Sequence, residues 1–284
     1  MLAGRGLIAL VFMIAFHAAC VAQDAGALRP QCIAVLRDAL GSDEFWPSMH
    51  AAEALTLAGE GETVRKALGP LLGKETDDQR RCGLARELVR AGEAQRARVM
   101  LQILANKESK GRIHAAESLF KVGQTGDGTA LRAALDEGDP VLELMAAAAL
   151  IRAGDRSLLV RVRRHLRGND PRPRQIAAWV LGQLGDESDR AALREARTKE
   201  ADPFKKSFLV NALARLGSAE ALAQVERNLS DKNPTIRRYA ALTLGARGAK
   251  DALAQLTPLL NDPDLDTRIR AAQAILMLAR TSKP

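Results

Sequence analysis

The sequence predicts an all-α fold, an α-solenoid of about eight helical hairpins, on three observations. The first is composition: 47% of the 284 residues are apolar and only 3% are aromatic, with few of the β-branched runs that form strands. The second is an apolar period near 3.6 residues in segments such as "ALAQVERNL" and "DALAQLTPLL". The third is an internal repeat of hairpins, each of which must stack on its neighbours to bury both its faces.

The repeat is visible when the segment "NPTIRRYAALTLGARG" is slid along the chain. It matches stretches such as "DPRPRQIAAWVLGQLG" and "KGRIHAAESLFKVG", and successive matches lie 31 to 33 residues apart. The aligned residues are Ser48, Arg81, Arg112, Glu143, Arg174, Lys206, Arg237 and Arg268. In each unit except the last, a Gly follows eleven places later, from Gly59 to Gly248. The register therefore holds over eight units.

A recurring turn precedes the main helix of most units. The turns are Asp139-Pro140, Asp170-Pro171, Asp202-Pro203, Asn233-Pro234 and Asp262-Pro263. An Asp or Asn side chain can cap a helix, and Pro suits the first helical turn. The closing Gly permits the left-handed backbone of a helix C-cap. The pattern predicts where these helices begin and end.

With these features the chain resembles a known family, the HEAT repeats of the short bacterial type first described in phycobilisome lyases. The turn, the basic residue and the pair of small residues before Leu and Gly carry the resemblance, which covers about residues 29–281. It implies that the helix after each turn lines a concave surface. For function it implies mostly scaffolds and adaptors, alongside a few enzymes.

The N-terminus predicts an export signal at 1–22, because Arg5 precedes the apolar run "LIALVFMIAF" and a stretch of small residues. The run is too short to span a bilayer as a helix, and no later segment is long and apolar enough to do so. Two processing routes fit: cleavage after Ala22, or a lipoprotein signal at 1–19 that leaves Cys20 lipidated. His17 departs from the aliphatic residue of a lipobox and favours the first route.

We therefore expect a linker at 23–28, the solenoid at 29–281 and a tail at 282–284. The protein would be periplasmic or secreted, or anchored to the membrane as a lipoprotein through Cys20. Two cysteines follow the signal, Cys32 and Cys82, which are too few for a disulfide framework. Each lies on an apolar helical face, so we expect two small buried thiols. A bridge between them is the alternative.

Two His-x-x-Glu pairs, His50 with Glu53 and His114 with Glu117, raise the question of a metal site. Residues three apart share a helix face, so each pair could supply two ligands. The pairs lie two repeats apart, about 20 Å at ~10 Å per repeat, and cannot close around one metal. The chain also lacks the His-Glu dipeptides that hold two irons in deoxyhypusine hydroxylase, a HEAT protein. We predict no metal, no cofactor and structural roles for His50 and His114.

The resemblance leaves two enzymatic alternatives, an iron-dependent hydroxylase and a bilin lyase. Bilin chemistry belongs to the cytoplasm of pigment-bearing cells, which the export signal opposes. The sequence has no Gly-rich phosphate loop after a strand, no nucleophile elbow and no clustered Cys-x-x-Cys spacing. The prediction is therefore an exported protein that binds or scaffolds, without catalysis of its own.

A variable column of the repeat predicts residues that face the concave groove and bind a protein partner. They are Glu53, Arg86, Glu117, Trp179, Asn211 and Gln273. Trp179 is the candidate anchor, since an aromatic residue among polar neighbours is typical of an interface hot spot. The alternative is that Trp179 fills space between repeats.

A basic residue recurs at the aligned position, as Arg81, Arg112, Arg174, Lys206, Arg237 and Arg268, which we call the basic ladder. Such a ladder could bind an anionic polymer or an acidic partner. In HEAT stacks, however, this residue commonly bonds to the turn Asp of a neighbouring repeat. The candidates here are Asp139, Asp170, Asp202, Asp231 and Asp262. We favour the structural role.

The segment 152–174 concentrates positive charge, with eight Arg against two Asp in a chain of net charge +8. Its candidate basic patch comprises Arg161, Arg163, Arg164, Arg167 and Arg172. One interpretation is a solvated outer face, and the other is a footprint for an anionic polymer or a membrane surface. Nucleic acid ranks third, because the export signal opposes it and the groove column offers a single aromatic, Trp179, for stacking.

Overall fold

The computed structural model describes residues 25–280, so the predicted signal peptide with Cys20 and the predicted tail lie outside the described residues. Sixteen α-helices form within this range, and no β-strand occurs among them. The odd-numbered helices form an outer layer: α1 Arg29–Leu40, α3 Gly61–Leu72, α5 Ala97–Ala105, α7 Thr129–Ala134, α9 Leu159–Arg167, α11 Arg190–Lys199, α13 Ala219–Asn228 and α15 Leu253–Leu256. The even-numbered helices form an inner layer: α2 Phe45–Leu57, α4 Asp78–Arg90, α6 Arg112–Val122, α8 Pro140–Arg152, α10 Pro171–Leu184, α12 Pro203–Arg215, α14 Pro234–Arg247 and α16 Leu265–Arg280.

This arrangement confirms the predicted all-α solenoid. Short 3-10 segments complete several units: Ala94–Arg96, Arg156–Leu158, Glu187–Asp189, Lys250–Ala252 and Thr257–Asn261. The hydrophobic core lies between the two layers, where α9, for example, buries Leu159, Val162 and Leu166. Between residues 25 and 280, no helix is both long and apolar enough to cross a membrane.

The inner helices begin and end largely where the turn chemistry predicts. In α8, α10, α12 and α14, a backbone N–H of the first turn donates to the side chain of Asp139, Asp170, Asp202 or Asn233. The closing glycines Gly59, Gly92, Gly123, Gly154, Gly217 and Gly248 have positive φ, whereas Gly185 has φ −74°. The last unit departs from the prediction, because α16 begins at Leu265 and not at Pro263.

Neighbouring inner helices pack through small residues. A Cβ added to Gly182 of α10 would lie 2.8 Å from the Cα of Ala212 in α12. One added to Gly245 of α14 would lie 2.7 Å from the Cα of Ala274 in α16. So close an approach leaves no room for larger side chains at these two positions. The contacts keep one register from unit to unit, so the inner helices run parallel to one another.

The two ends of the stack meet, which the sequence did not predict. Helix α16 packs against both α1 and α2, and we call this contact the seam. Across the seam, His50 Nδ1 lies 2.7 Å from Asp266 Oδ1, and Arg270 donates to Glu53 at 3.0 Å. The chain therefore closes into a ring. The inner helices therefore do not line an open concave groove, as we expected, but enclose the interior of that ring.

Candidate functional site

Most of the basic ladder is engaged within the molecule. Arg112 donates twice to Glu137, at 2.5 and 2.9 Å, and Arg237 donates twice to Asp262, at 2.8 and 2.6 Å. Arg174 donates to Glu200 at 3.2 Å. Among the turn acids expected as partners, these three pairs use Asp262 alone. In the other two pairs the acid lies two residues before the turn Asp.

The remaining ladder residues differ from one another. Arg81 binds Asp78 on its own helix at 2.7 Å, and Arg268 donates to the backbone carbonyls of Asp262 and Pro263. The side chain of Lys206 makes no hydrogen bond or ion pair within residues 25–280. Five of the six ladder residues therefore have bonding partners within the described chain, whereas the side chain of Lys206 has none.

In the fourth unit the ladder position carries an acid, Glu143, and the charge pattern reverses. Its carboxylate is buried and accepts from Arg161 at 3.1 Å and from Arg164 at 2.7 Å. His165 Nε2 lies 2.8 Å from its other oxygen. All three partners lie on the outer helix α9. The positive charge of the segment 152–174 therefore compensates one inverted ladder position.

The rest of the candidate basic patch is divided. Arg163 binds Asp189 at 2.7 and 3.1 Å and lies 3.5 Å from Asp186. Arg167 and Arg172 are exposed, and their guanidinium groups make no hydrogen bond within the described chain. A footprint for a polyanion or a membrane surface, which stays a prediction, would depend on these last two residues.

The residues predicted to bind a partner all lie on inner helices, but they do not form one open surface. Arg86, Asn211 and Gln273 are buried, whereas Glu53, Glu117 and Trp179 are half-buried. Trp179 packs edge-on against Phe120, with ring centroids 5.4 Å apart, and so fills space between units. A macromolecule could reach the three buried residues only if the ring opened. Their role in binding stays a prediction.

Charged side chains from the first and last units compensate one another inside the ring. Glu53 lies 3.0 Å from Arg270 and 3.6 Å from Arg90. Burial alone would raise the pKa of Glu53, but Arg270, Arg90 and the nearby Lys121 hold it well below its usual value. Lys121 also binds Glu117 at 2.7 Å. This interior is a set of paired charges, which suits ring closure better than recruitment of a partner.

The seam holds a second pair of titratable groups, His50 and Asp266, whose pKa values are strongly shifted. Burial, followed by the charge of Arg270, lowers the pKa of His50 to about 4. Burial would raise the pKa of Asp266, but His50, Arg270 and Arg238 lower it to about 2. At neutral pH the seam therefore contains a neutral imidazole beside an ionised carboxylate.

The two His-x-x-Glu pairs lie on α2 and α6, which are two repeats apart. Trp46 of α2 stacks on His114 of α6, with ring centroids 5.4 Å apart, so side chains two repeats apart touch. Burial lowers the pKa of His114. Within residues 25–280 no group of three or more His, Cys, Asp or Glu side chains is arranged to hold a metal.

Cys32 and Cys82 are both buried free thiols, which corrects the alternative of a bridge between them. Burial raises the pKa of each thiol to about 12. Neither is therefore activated as a nucleophile or metal ligand at neutral pH.

The C-terminal ends of the parallel inner helices lie along one rim of the ring. Six of these helices carry a basic residue in the last turn, namely Arg90, Lys121, Arg152, Arg215, Arg247 and Arg280. A cation at this end of a helix is favourable, because the last carbonyls carry partial negative charge. Arg90 and Lys121 are paired with Glu87 and Glu117. Among residues 25–280, the basic residues at the ends of α12, α14 and α16 do not have such acidic partners.

Arg215, Arg247 and Arg280 lie on adjacent inner helices, and we call them the basic arc. Within the described chain, no carboxylate forms an ion pair with any of them. Arg215 donates to the Gly182 carbonyl at 3.0 Å, and Arg280 donates to the Leu57 carbonyl across the seam at 3.0 Å. Burial and the charge of Arg247 lower the pKa of Arg215. The arc is an uncompensated positive surface on the rim.

Sequence reasoning missed the basic arc, although a signal was present. In four units an acid directly follows the closing Gly, namely Glu60, Glu93, Asp155 and Asp186, and each pairs with an Arg. In the sixth and seventh units, Ser218 and Ala249 occupy that position. The four acids pair with Arg37, Arg96, Arg132 and Arg163, none of which ends an inner helix. The signal is therefore only that no acid follows the closing Gly beside Arg215 and Arg247.

Comparison with known proteins places this geometry in context. A family model for HEAT repeats matches residues 128–207 and 197–276. No curated protein matches the chain significantly. Human deoxyhypusine hydroxylase in complex with glycerol is similar in structure, at 19% identity over 90% of this chain and 98% of that one, with a TM-score of 0.41. The complex of CpcE and CpcF of phycocyanin lyase from Nostoc sp. PCC7120 is similar at 17% identity over 84% and 92%, with a TM-score of 0.46.

These similar structures correct the prediction that the chain is not an enzyme. Two of them are, by name, a hydroxylase and a lyase, so that prediction is contradicted. The likeness concerns the fold alone, and no reaction is assigned from it.

Proposed function

The chain belongs to the HEAT-repeat family, and from this premise we propose that it binds an acidic protein partner on the rim that carries the basic arc. HEAT solenoids present long repetitive surfaces, and function depends on the particular side chains that a surface displays. In this ring the inner surface is occupied by paired charges, so the partner would dock at the rim. This moves the predicted binding surface away from the interior column.

A single observation carries the proposal: two neighbouring arginines share the rim without an acid. Arg215 is half-buried and Arg247 is exposed, and the charge of one lowers the pKa of the other. Like charges held together are unfavourable, and a carboxylate placed between them would relieve the repulsion. Arg can also bind a carboxylate with two parallel hydrogen bonds. An acidic protein surface supplies such carboxylates.

We further propose that the protein is exported, by cleavage after Ala22 or as a lipoprotein through Cys20. The support is the charged, apolar and small-residue order of the first 22 residues. Fractionation of the native host tests this proposal. Recovery of the full-length precursor from the cytoplasm alone would contradict export, and labelling with a radioactive fatty acid would distinguish the two routes.

The partner proposal is tested with two matched variants, Arg247→Glu and Arg172→Glu. Both arginines are exposed, but Arg247 belongs to the basic arc whereas Arg172 belongs to the segment 152–174. The mature chain of each variant serves as bait for the host envelope fraction. A fluorescent hexaglutamate peptide, measured by anisotropy at increasing salt, serves as a defined probe.

We expect Arg247→Glu to lose the recovered protein and to weaken peptide binding more than about tenfold, since reversed charge repels an acidic partner. Arg172→Glu should retain both. Equal binding by the two variants would overturn the proposal. Loss with Arg172→Glu alone would overturn it in favour of the polyanion or membrane footprint.

A further inference from the structure

Lys206, the basic-ladder residue whose side chain has no partner in the described chain, lies beside a pocket. In three units a ladder arginine binds an acid that lies 25 or 26 residues later in the chain. The pairs are Arg112 with Glu137, Arg174 with Glu200, and Arg237 with Asp262. The equivalent residues in the sixth unit are Lys206 and Asp231, which are also 25 residues apart. These two residues make no ion pair with each other.

The chemistry of the two side chains explains why Lys206 and Asp231 form no ion pair. Lysine carries a point charge and cannot form the two parallel bonds by which Arg112 and Arg237 bind their acids. The carboxylate of Asp231 instead accepts a hydrogen bond from the backbone N–H of Asn233 at 2.8 Å. A half-buried ammonium and a half-buried carboxylate are therefore both without a charged partner in the described chain.

Both charges line a pocket of about 440 Å³ between α11, α12, α13 and α14. Arg197 of α11 also lines it, but its guanidinium group is paired with Glu220 at 2.9 Å. Asn228, 8% exposed, also lines it and accepts from Gln224 at 3.0 Å, which leaves the other end of its amide free to bond. Val210 and Ile236 add an apolar surface. The volume lies within the range of small-molecule sites, which combine apolar walls with a few placed polar groups.

We propose that this pocket binds a small zwitterion, a free amino acid or a dipeptide. Its carboxylate would pair with Lys206 and its ammonium with Asp231, because these are the two unpaired charges that face the space. The amide of Asn228 would bond to a peptide group, and an apolar side chain would pack on Val210 and Ile236. The site is independent of the basic arc, because Lys206 lies near the start of α12 whereas Arg215 ends it.

Calorimetric titration with leucyl-glycine tests the proposal, with its N-acetyl and C-terminal amide forms as charge-blocked probes. The variants are Lys206→Met and Asp231→Asn. Lys205→Met is the matched control, since Lys205 is the preceding residue of the same helix and its ammonium group lies 3.8 Å from Asp202, outside the pocket lining. Circular dichroism establishes that each variant retains the helical fold.

We expect millimolar or tighter binding of leucyl-glycine, and a loss of at least about tenfold for each blocked probe and for both pocket variants. Lys205→Met should bind as the unaltered chain does. No heat with leucyl-glycine or free leucine would overturn the proposal. So would equal binding of the N-acetyl form, which indicates a plain anion site, or equal binding by the pocket variants, which indicates another location.

Discussion

Two contacts of α16 differ in how they hold the ring together. On one side α16 meets α14, where Gly245 lies so close to Ala274 that an added Cβ would be 2.7 Å from its Cα. On the other side α16 meets α1 and α2 at the seam, where His50, Glu53 and their charged partners face each other. Close contacts of small residues, like the first, recur between inner helices along the stack. The polar contact of the seam occurs once in the described chain.

The difference shows which interactions set the curvature and which set the closure. Close packing of small residues fixes the rotation between consecutive units, because the backbones can approach in few ways. The polar pairs of the seam do not set the rotation between consecutive units. They make the contact between the first and last units specific. Charged groups are directional and costly to leave unpaired, so they discriminate against other pairings of the ends.

The largest expected effect comes from removing one charge of the seam. Arg270→Met removes the buried guanidinium group from the half-buried carboxylate of Glu53, which keeps only Arg90 at 3.6 Å, and should destabilise the fold by about 3 to 5 kcal/mol. Arg268→Met, on the same helix, removes bonds to backbone carbonyls only and should cost about 1 kcal/mol. Urea unfolding measures both values, and X-ray scattering should show a larger radius for Arg270→Met. Equal losses would contradict the distinction between the two contacts.

The seam also predicts pH dependence. The folded pKa of His50, about 4, lies below the unfolded value near 6.5, so its contribution is present above pH 6.5 and is lost as pH falls towards 4. Asp266, at about 2, adds a loss between roughly pH 4 and 2. Between pH 7 and 5 the chain should lose about 2 kcal/mol through His50. Unfolding of His50→Gln at both pH values should show a shallower loss, and an unchanged loss would exclude His50 as its source.

The close packing of the ordinary contact can be tested at two helical glycines. Gly245→Ala should destabilise the ring by about 1 to 3 kcal/mol, because the methyl group meets backbone of α16. At Gly69, in α3, an added Cβ meets nothing within 4 Å. Gly69→Ala should therefore stabilise by up to about 1 kcal/mol through helix propensity. Thermal melts measure the two changes, and a shift of the same sign would refute this account of the packing.

The smallest effect is expected at the contact between the sixth and seventh units, where Lys206 and Asp231 form no ion pair. Lys206→Arg restores the ladder residue and should bind Asp231 as Arg237 binds Asp262. Because the site is half-buried, the gain should be less than about 1 kcal/mol. Unfolding in low and high salt measures it, since an ion pair weakens as salt rises. A loss of stability would show that the pocket does not admit the guanidinium group.

The repeated part of the fold could be predicted from sequence, because its determinants are local. Asp139 caps its helix and Gly123 ends one by rules that act within a few residues. Closure could not be predicted in the same way, because it depends on small rotations that accumulate over eight units. A signal did exist in hindsight: Glu53 and Arg270, opposite in charge, lie in the first and last units.

The candidate site was less predictable for a related reason. Glu143 was visible as the acid in a basic column, and Arg161 and Arg164 were visible as excess charge, but their pairing runs between two layers. The interior column was interpreted as a groove because burial depends on whether the stack opens or closes. The basic arc depends on three helices being parallel neighbours, which only the assembled ring provides.

The contact between His50 and Asp266 joins residues 216 positions apart in the chain. A linear stack of units can fray and unzip from either end, one unit at a time. A ring has no free end, so the first unit to unfold must break two contacts together, and unfolding becomes more cooperative. Assembly carries the converse cost, because the seam forms only after nearly the whole chain is ordered, and its loop-closure entropy is lost in that last step.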